Sequence, residues 1–201
     1  MKIIGVTGGI ATGKSTVSQM LEKRGFEVID ADEVVHELQT TGSLLLNQIV
    51  NAFGLTILHD DGSLNRGELG KIIFSDAAAR AKLNSIVHPV VRAEFERRIA
   101  ISKDDVLFLD VPLLFEAGFD DMTDANLVIS ASQEVQLLRL KMRDGLSEQE
   151  AQDRVCSQMA LSEKVVRADF VIDNSEDLCE LEENIEKFLR EINVLRNLKV
   201  R

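Results

Sequence analysis

Cysteine is scarce in this chain of 201 residues, which contains only Cys156 and Cys179. The two cysteines form no Cys-x-x-Cys pair and lie near no cluster of histidines. This pattern is not that of a disulfide scaffold or of a thiolate metal site. We therefore expect two reduced thiols in a cytosolic protein.

Basic residues are outnumbered by acidic ones: 23 Lys and Arg stand against 34 Asp and Glu, giving a net charge of -11. An acidic surface repels the phosphates of nucleic acids and of anionic membranes. The composition therefore predicts a protein that binds neither nucleic acid nor a membrane surface. Any polyanionic ligand would need a local pocket of positive potential.

Long hydrophobic runs are also missing, although hydrophobic residues make up 45% of the chain and can form a core. The apolar run at residues 1–6 is too short for the hydrophobic part of a signal peptide. Residues 38–59 carry no formal charge when His59 is neutral, but amides such as Asn47 and Gln48 would lack hydrogen-bond partners in lipid. We expect one soluble, cytoplasmic domain of ordinary size.

Short apolar runs alternate with helical patterns along the chain, which is typical of buried parallel strands and the helices that cover them. Strands are predicted at residues 2–7, 26–29, 106–109, 127–129 and 170–172. Helices are predicted at residues 14–24, 33–38, 44–53 and 133–143, with another starting at the Ser147–Glu150 capping box. The last helix spaces one apolar face through Leu178, Leu181, Ile185, Phe188, Leu189, Ile192 and Leu195. The pattern predicts an α/β fold with a doubly wound parallel sheet.

Residues 54–101 interrupt this alternation and form a predicted helical insertion. Helices are expected at residues 66–74, 77–87 and 90–101, with a break at His88-Pro89 because the residue before a proline avoids the α region. The predicted core domain then consists of residues 1–53 and 102–201.

Polar residues follow the predicted strands, at the edge where parallel sheets bind ligands. Residues 8–15 follow the first strand, Asp30 and Asp32 the second, Asp110 the third and Asn174 the fifth. We therefore expect the functional site at this edge.

The segment Gly8-Gly9-Ile10-Ala11-Thr12-Gly13-Lys14-Ser15 has the spacing of a phosphate-binding loop between a predicted strand and a predicted helix. Its glycines let successive N–H groups turn inward, and the helix that begins near Lys14 adds its positive end. Lys14 would place a charge on the β- and γ-phosphates, and Ser15 would offer its hydroxyl to Mg²⁺. The loop predicts binding of a nucleoside triphosphate.

Two classes of phosphate-loop protein remain at this point. A GTPase-type switch would need Asn-Lys-x-Asp and Asp-x-x-Gly, and neither pattern occurs. A small-molecule kinase needs a base for the acceptor hydroxyl and mobile arginines that cover the phosphates.

The sequence contains candidates both for the base and for the mobile arginines. Asp32 can accept the proton of the attacking hydroxyl, or can instead cap the following helix; Asp30 competes for either role. Arg139 and Arg143 share a helical face ahead of Gly145 and a helix with Arg154, which is either a lid or a solvated surface.

Several longer motifs are more specific than the phosphate loop, and together they cover nearly the whole chain. They are Thr7-Gly8-Gly9-Ile10, Ile29-Asp30-Ala31-Asp32, Asp61-Gly62-Ser63-Leu64-Asn65-Arg66, Ile86-Val87-His88-Pro89, Asp110-Val111-Pro112-Leu113-Leu114-Phe115-Glu116, Arg143-Asp144-Gly145, Arg154 with Gln158, and 168–174. On these residues the chain resembles the dephospho-coenzyme A kinase family.

The resemblance implies a five-stranded parallel sheet of order 2-3-1-4-5, a helical acceptor domain and a lid at about residues 140–160. It implies transfer of the ATP γ-phosphoryl group to the ribose 3′-hydroxyl of dephospho-CoA, with ATP and dephospho-CoA as partners and Mg²⁺ as cofactor. Oligomeric state is open, with a monomer favoured.

The resemblance implies Asp32 as the base, with Lys14, Arg139 and Arg143 around the phosphates. It implies Arg66 and His88 as residues that bind the acceptor, and Ser15 and Asp110 as ligands of the metal. The residues that it implies for ATP binding are Gly9, Ala11, Thr12, Gly13, Lys14, Ser15, Thr16 and Asn174. His88 can equally be a packed histidine before Pro89, and Asp110 can instead anchor the turn to Pro112.

This chain departs from the family at Ala11-Thr12, where the family usually has Gly-Ser. If the loop needs a positive φ at Ala11, alanine costs about 1 kcal/mol there. The alternative to the family function is another nucleoside or nucleotide kinase of the same fold.

Overall fold

A five-stranded sheet organises the chain, and the computed structural model describes it over residues 1–198, with side chains through residue 192. Its strands are β1 (Lys2–Gly8), β2 (Glu27–Asp30), β3 (Val106–Asp110), β4 (Ala125–Ser130) and β5 (Phe170–Asp173). The order is β2-β3-β1-β4-β5, and β1 pairs in parallel with β3 and β4, as β4 does with β5. The predicted fold class and strand order are confirmed.

The chain divides into two compact units, and the first comprises Met1–Val28 with the described chain from Asp104 onward. Its helices are α1 (Lys14–Lys23), α6 (Gln133–Asp144), α7 (Glu148–Cys156), α8 (Leu161–Arg167) and α9 (Leu178–Leu198). The sequence patterns did not predict α8. The core joins buried strand residues such as Ile4, Val6 and Phe108 to one face of α9. Edge-to-face contacts tighten it, with ring centroids 5.4 Å apart for Phe26 and Phe108.

Leu178, the first residue predicted for the apolar face of α9, does not lie in the core. Leu181, Ile185, Phe188, Leu189 and Ile192 are buried as predicted. Leu178 is 61% exposed, so its assignment to the core was wrong. It opens the helix, where the chain has just left the sheet edge, and it lines a cleft instead. The side chain of Leu195 lies outside the described residues.

The second unit is helical and comprises Ile29–Lys103. Its helices are α2 (Ala31–Leu38), α3 (Leu44–Phe53), α4 (Arg66–Ser75) and α5 (Ala77–Ile101), and α2, α3 and α4 each contact α5. The predicted insertion at residues 54–101 lies inside this unit. The unit begins earlier than the predicted insertion because α2 and α3 pack on α5.

The predicted helix break at His88-Pro89 is wrong, because α5 runs without interruption through Pro89. Its buried residues are Leu83, Val87, Val91 and Phe95, which follow each other at intervals of four. This apolar face keeps its phase across the proline, and Pro89 itself is exposed. A proline in a helix interior costs about 3 kcal/mol, and packing of the apolar face on three helices offsets that cost.

No helix in the described part of the chain combines the length and the apolar character that a membrane crossing requires.

An ion network on α5 joins Glu94 to Arg97 and Arg98. Glu94 accepts hydrogen bonds of 2.8 Å from Arg97 and Arg98, and Arg98 also pairs with Glu37 on α2. The hydrogen bond from Arg97, followed by that from Arg98, lowers the pKa of Glu94 from 4.5 to about 2. The ionised carboxylate is thus favoured by folding.

We predict that Glu94→Gln reduces the stability of the protein near neutral pH and that this difference shrinks as the pH falls from about 4.5 to about 2. A carboxyl group whose pKa is depressed by folding stabilises the fold above its unfolded pKa, and that contribution is lost on acidification. Urea unfolding at a series of pH values measures the difference. Glu96→Gln, at an exposed position of the same helix, is the control; a Glu94→Gln effect independent of pH would contradict the prediction.

Candidate functional site

The N-terminus of α1 is prepared for an anion. Among the described residues no side chain caps α1, and its first turn holds no acidic residue. By contrast, α6 and α7 in the same unit are capped by Ser132 and Ser147. The first N–H groups of a helix have no intrahelical acceptor, and they carry the positive end of the helix dipole. A phosphate at this end would satisfy them.

The second half of the loop is anchored to Asn174, the residue that follows β5. The buried Asn174 side chain donates a 2.7 Å hydrogen bond to the Thr12 carbonyl, and the Thr12 hydroxyl donates one of 2.9 Å to the Gly9 carbonyl. Arg139 donates to the Thr12 carbonyl at 3.4 Å and to the Asn174 carbonyl at 2.9 Å. These contacts fix the loop just ahead of α1.

Two residues of the loop adopt left-handed backbone angles. Gly13 has φ +90°, and a Cβ atom there would lie 2.1 Å from Nδ2 of Asn174, so glycine is required. Ala11 has φ +59° and is the one non-glycine residue with positive φ in the described chain. The loop therefore does place Ala11 at a positive φ, and it carries the strain of an alanine in this left-handed region.

Two glutamines that the sequence patterns did not assign to the site hold the first half of the loop. The Ile10 N–H donates to Oε1 of Gln158 at 3.0 Å, and its carbonyl accepts from Nε2 of Gln136 at 2.7 Å. Gln136 is buried on α6 and Gln158 follows α7. Gln158 was part of a recognised motif, whereas Gln136 gave no signal because glutamine usually lies at the surface.

A partly buried ion pair joins the loop to β3. The Lys14 ammonium donates to one oxygen of Asp110, and the Ser18 hydroxyl donates to the other at 2.6 Å. The side chains of Lys14 and Asp110 are 14% and 1% exposed. Separating such a pair leaves a buried charge without a partner, which is costly. Asp110 therefore holds the Lys14 charge at the loop. Ser15, the predicted metal ligand of the loop, lies exposed on the first turn of α1.

The two predicted lid arginines have different surroundings. Arg139 is half-buried against the loop, whereas Arg143 is exposed and makes two hydrogen bonds, of 2.8 and 3.1 Å, with Asp144. Asp144 also accepts 2.7 Å from Arg154 on α7. The hydrogen bond from Arg143 lowers the pKa of Asp144. Arg143 and Arg154 are thus gathered around one carboxylate, while Arg139 supports the loop.

An open cleft of about 620 Å³ adjoins the loop. It is lined by Gly13, Thr16, Arg139, Asn174, Leu178 and Cys179, among others. The lining combines the exposed Leu178 with amide and backbone groups and with the carboxylates of Glu176 and Asp177. Cys179, like Cys156, is a free and exposed thiol.

The remaining predicted residues belong to the second unit. Asp30 caps α2 by accepting hydrogen bonds from the N–H groups of Asp32 and Glu33, at 2.7 and 3.2 Å. Asp32 itself is exposed on the first turn of α2, so of the two carboxylates Asp30 is the cap.

Arg66 begins α4 and His88 lies in α5. Arg66 is exposed and donates to Oε1 of Gln39 at 3.3 Å. His88 is half-buried, and this burial lowers its pKa, as does the charge on Arg92. His88 is therefore neutral at physiological pH and able to form uncharged hydrogen bonds.

Comparison with known proteins identifies a family. The family model described as dephospho-CoA kinase matches residues 2–180. The dephospho-CoA kinase of Symbiobacterium thermophilum is 48% identical over 177 residues, covering 87% of this chain and 74% of that protein. That of Streptococcus mutans is 43% identical over 193 residues, covering 95% and 98%. A solved structure from Thermus thermophilus matches with a TM-score of 0.83 at 32% identity, covering 94% of this chain and 97% of that one.

We predict that Ala11→Gly stabilises the protein by about 1 kcal/mol, because glycine removes the Cβ clash of the left-handed conformation. Chemical unfolding measures the change. The matched control is Ala81→Gly, at an exposed position inside α5, which should destabilise by about 1 kcal/mol. Destabilisation of similar size by both substitutions would show that Ala11 is not strained.

Proposed function

Because the chain belongs to the dephospho-CoA kinase family, we propose that it transfers the γ-phosphoryl group of ATP to the ribose 3′-hydroxyl of dephospho-CoA. The products are CoA and ADP, and the reaction is the final step of coenzyme A biosynthesis. The observation that carries the proposal is the uncapped end of α1 beside the partly buried Lys14 ammonium.

We assign the ATP phosphates to the loop. Residues 11–16, with Gly9 and Asn174, supply or support the N–H groups that receive them, and Lys14 supplies the full charge. The cleft that begins at Gly13 and Asn174 then receives the base. Lys14 exchanges its contact with Asp110 for one with phosphate, so its charge stays partnered in both states. Asp110 keeps its hydrogen bond from Ser18 and would gain Mg²⁺ as its charged partner.

Mg²⁺ fits the donors near the loop. Ser15 and Asp110 offer a hydroxyl and a carboxylate, which are the hard oxygen ligands that this ion prefers. No group of three or more His, Cys, Asp or Glu side chains among the described residues is arranged for a metal. Few protein ligands are the rule for Mg²⁺, which takes most of its remaining ligands from phosphates and water. When bound, Mg²⁺ would neutralise charge on the phosphate oxygens.

Asp32 is proposed as the general base. Its carboxylate takes the proton of the 3′-hydroxyl as the new oxygen–phosphorus bond forms and the bond to the ADP oxygen breaks. Asp30 already caps α2, so Asp32 is not needed for that structural task. Catalysis otherwise consists of positioning and charge neutralisation by Lys14, Arg139 and Arg143.

The second unit is the proposed acceptor-binding region, with residues 54–101 at its centre. Arg66 would supply a charge and the neutral His88 a hydrogen bond to dephospho-CoA. The lid is proposed at residues 140–160, with Gly145 as hinge. Gly145 has φ +67° between α6 and α7, a conformation that suits glycine at a flexible joint.

The proposed reaction is tested by incubating the protein with ATP, Mg²⁺ and one acceptor at a time, with ADP release and product mass as readouts. We expect dephospho-CoA to gain one phosphoryl group, and AMP, GMP, dTMP and the acceptor-free control to give little ADP. Phosphorylation of AMP with no product from dephospho-CoA would identify a different nucleotide kinase. Hydrolysis of GTP that needs no acceptor would identify a switch.

We predict that Asp32→Asn lowers kcat at least about 10²-fold, the usual scale for loss of a general base. The affinity for ATP, measured by calorimetry, should change less than about twofold because the phosphate loop is intact. The neighbouring Glu33→Gln, also exposed on α2, is the control and should retain its turnover. An Asp32→Asn enzyme with full kcat would assign the base to another residue.

A further inference from the structure

Lys164 is a lysine with no exposed surface, and its environment is built for its charge. On α8, its ammonium donates to the Gly8 carbonyl at 3.2 Å and to the Pro112 carbonyl at 3.0 Å, and it pairs with Glu116 at 2.9 Å. These three acceptors match the three N–H donors of an ammonium. Burying a charge is unfavourable, and an apolar side chain of the same length would fill the space at lower cost. Packing alone therefore does not explain why a charged side chain lies at this position.

The acceptors of Lys164 lie on the two chain segments that form the edge of the phosphate site. Gly8 is the last residue of β1, where the loop begins. Pro112 and Glu116 follow β3, whose last residue is Asp110, the partner of Lys14. Lys164 thus joins the start of the phosphate loop to the segment that holds the Lys14 charge.

The same cluster also reaches the chain that leaves the proposed lid. α7 ends at Cys156, and Gln158 and Met159, which follow shortly after it, form hydrogen bonds with the site. Gln158 accepts from the Ile10 N–H at 3.0 Å, and the Met159 N–H donates to Oε1 of Glu116 at 3.2 Å. Glu116 therefore holds both the end of the lid segment and Lys164, within one set of contacts.

We propose that Lys164 is a positioning residue for nucleotide binding, acting with Glu116 to hold the first half of the phosphate loop. It acts through the Gly8 carbonyl and through the chain at Gln158, rather than by touching substrate. Loss of its charge frees the loop at Gly8 and loosens the lid end, so the N–H groups ahead of α1 are no longer fixed for phosphate. The naming of ATP as the nucleotide rests on the proposed function.

The test uses the variant Lys164→Met. Its affinity for ADP is measured by calorimetry in the absence of acceptor, and its KM values for ATP and for dephospho-CoA are measured in the kinase assay. We expect ADP affinity to fall, and KM for ATP to rise, at least about tenfold, the scale of losing a hydrogen bond to a charged group. KM for dephospho-CoA should change less than about twofold. Lys187→Met, which removes an exposed lysine of α9 that donates a hydrogen bond to Asn184, is the control and should leave ADP affinity unchanged.

A double variant covers a failure of Lys164→Met to fold. Glu116, with a side chain 21% exposed, is changed to glutamine together with Lys164→Met, so that neither charge of the pair is left without its partner. The double variant should fold and still bind ADP more weakly than the unchanged protein. ADP affinity equal to that of the unchanged protein in the folded double variant would overturn the proposal. An equal rise in both KM values would also overturn it, because a merely structural lysine would affect both substrates alike.

Failure of the proposed function gives a different result. The unchanged protein would then leave dephospho-CoA unphosphorylated, while the effect of Lys164→Met on ADP binding would persist and support the positioning role.

Discussion

Binding of a polyanion by a chain of net charge -11 depends on positive charge that is confined to one place and kept there without ligand. Asp110 keeps the Lys14 ammonium at this place, because the carboxylate at the end of β3 offsets the cost of holding the partly buried ammonium out of water. The uncapped end of α1 adds partial charges at the same position. In the proposed complex a phosphate takes the place of Asp110 as the partner of Lys14, so binding does not begin from an unpaired ammonium.

The loop between β1 and α1 is held from several sides, and this explains how it keeps a strained residue. Asn174 and Arg139 bind its second half, while Gln136, Gln158 and Lys164 bind its first half. Backbone strain persists where surrounding contacts determine the conformation, and Ala11 with φ +59° lies between the two anchored halves. The free energy of these contacts therefore maintains a shape that the loop alone would not adopt.

The sequence predicted what depends on local pattern and on strand order. Asp110 and Asn174 could be placed at the site because both follow strands of a parallel sheet, and Asp30 was correctly considered as the cap. The break at Pro89 was wrong because burial of one face of α5 outweighed the local preference of proline. Lys164 was missed since lysine is rarely buried, and its three acceptors are far from it in sequence. Such contacts exist only once the chain has folded.

The most direct measurement of the central claim is a crystal structure with a non-hydrolysable ATP analogue, Mg²⁺ and dephospho-CoA. The account requires the terminal phosphates to lie on the N–H groups at the start of α1, with the Lys14 ammonium moved from Asp110 to a phosphate oxygen. It also requires the 3′-hydroxyl within hydrogen-bond distance of Asp32. Phosphates bound elsewhere while Lys14 stays on Asp110, or an acceptor hydroxyl remote from Asp32, would contradict it.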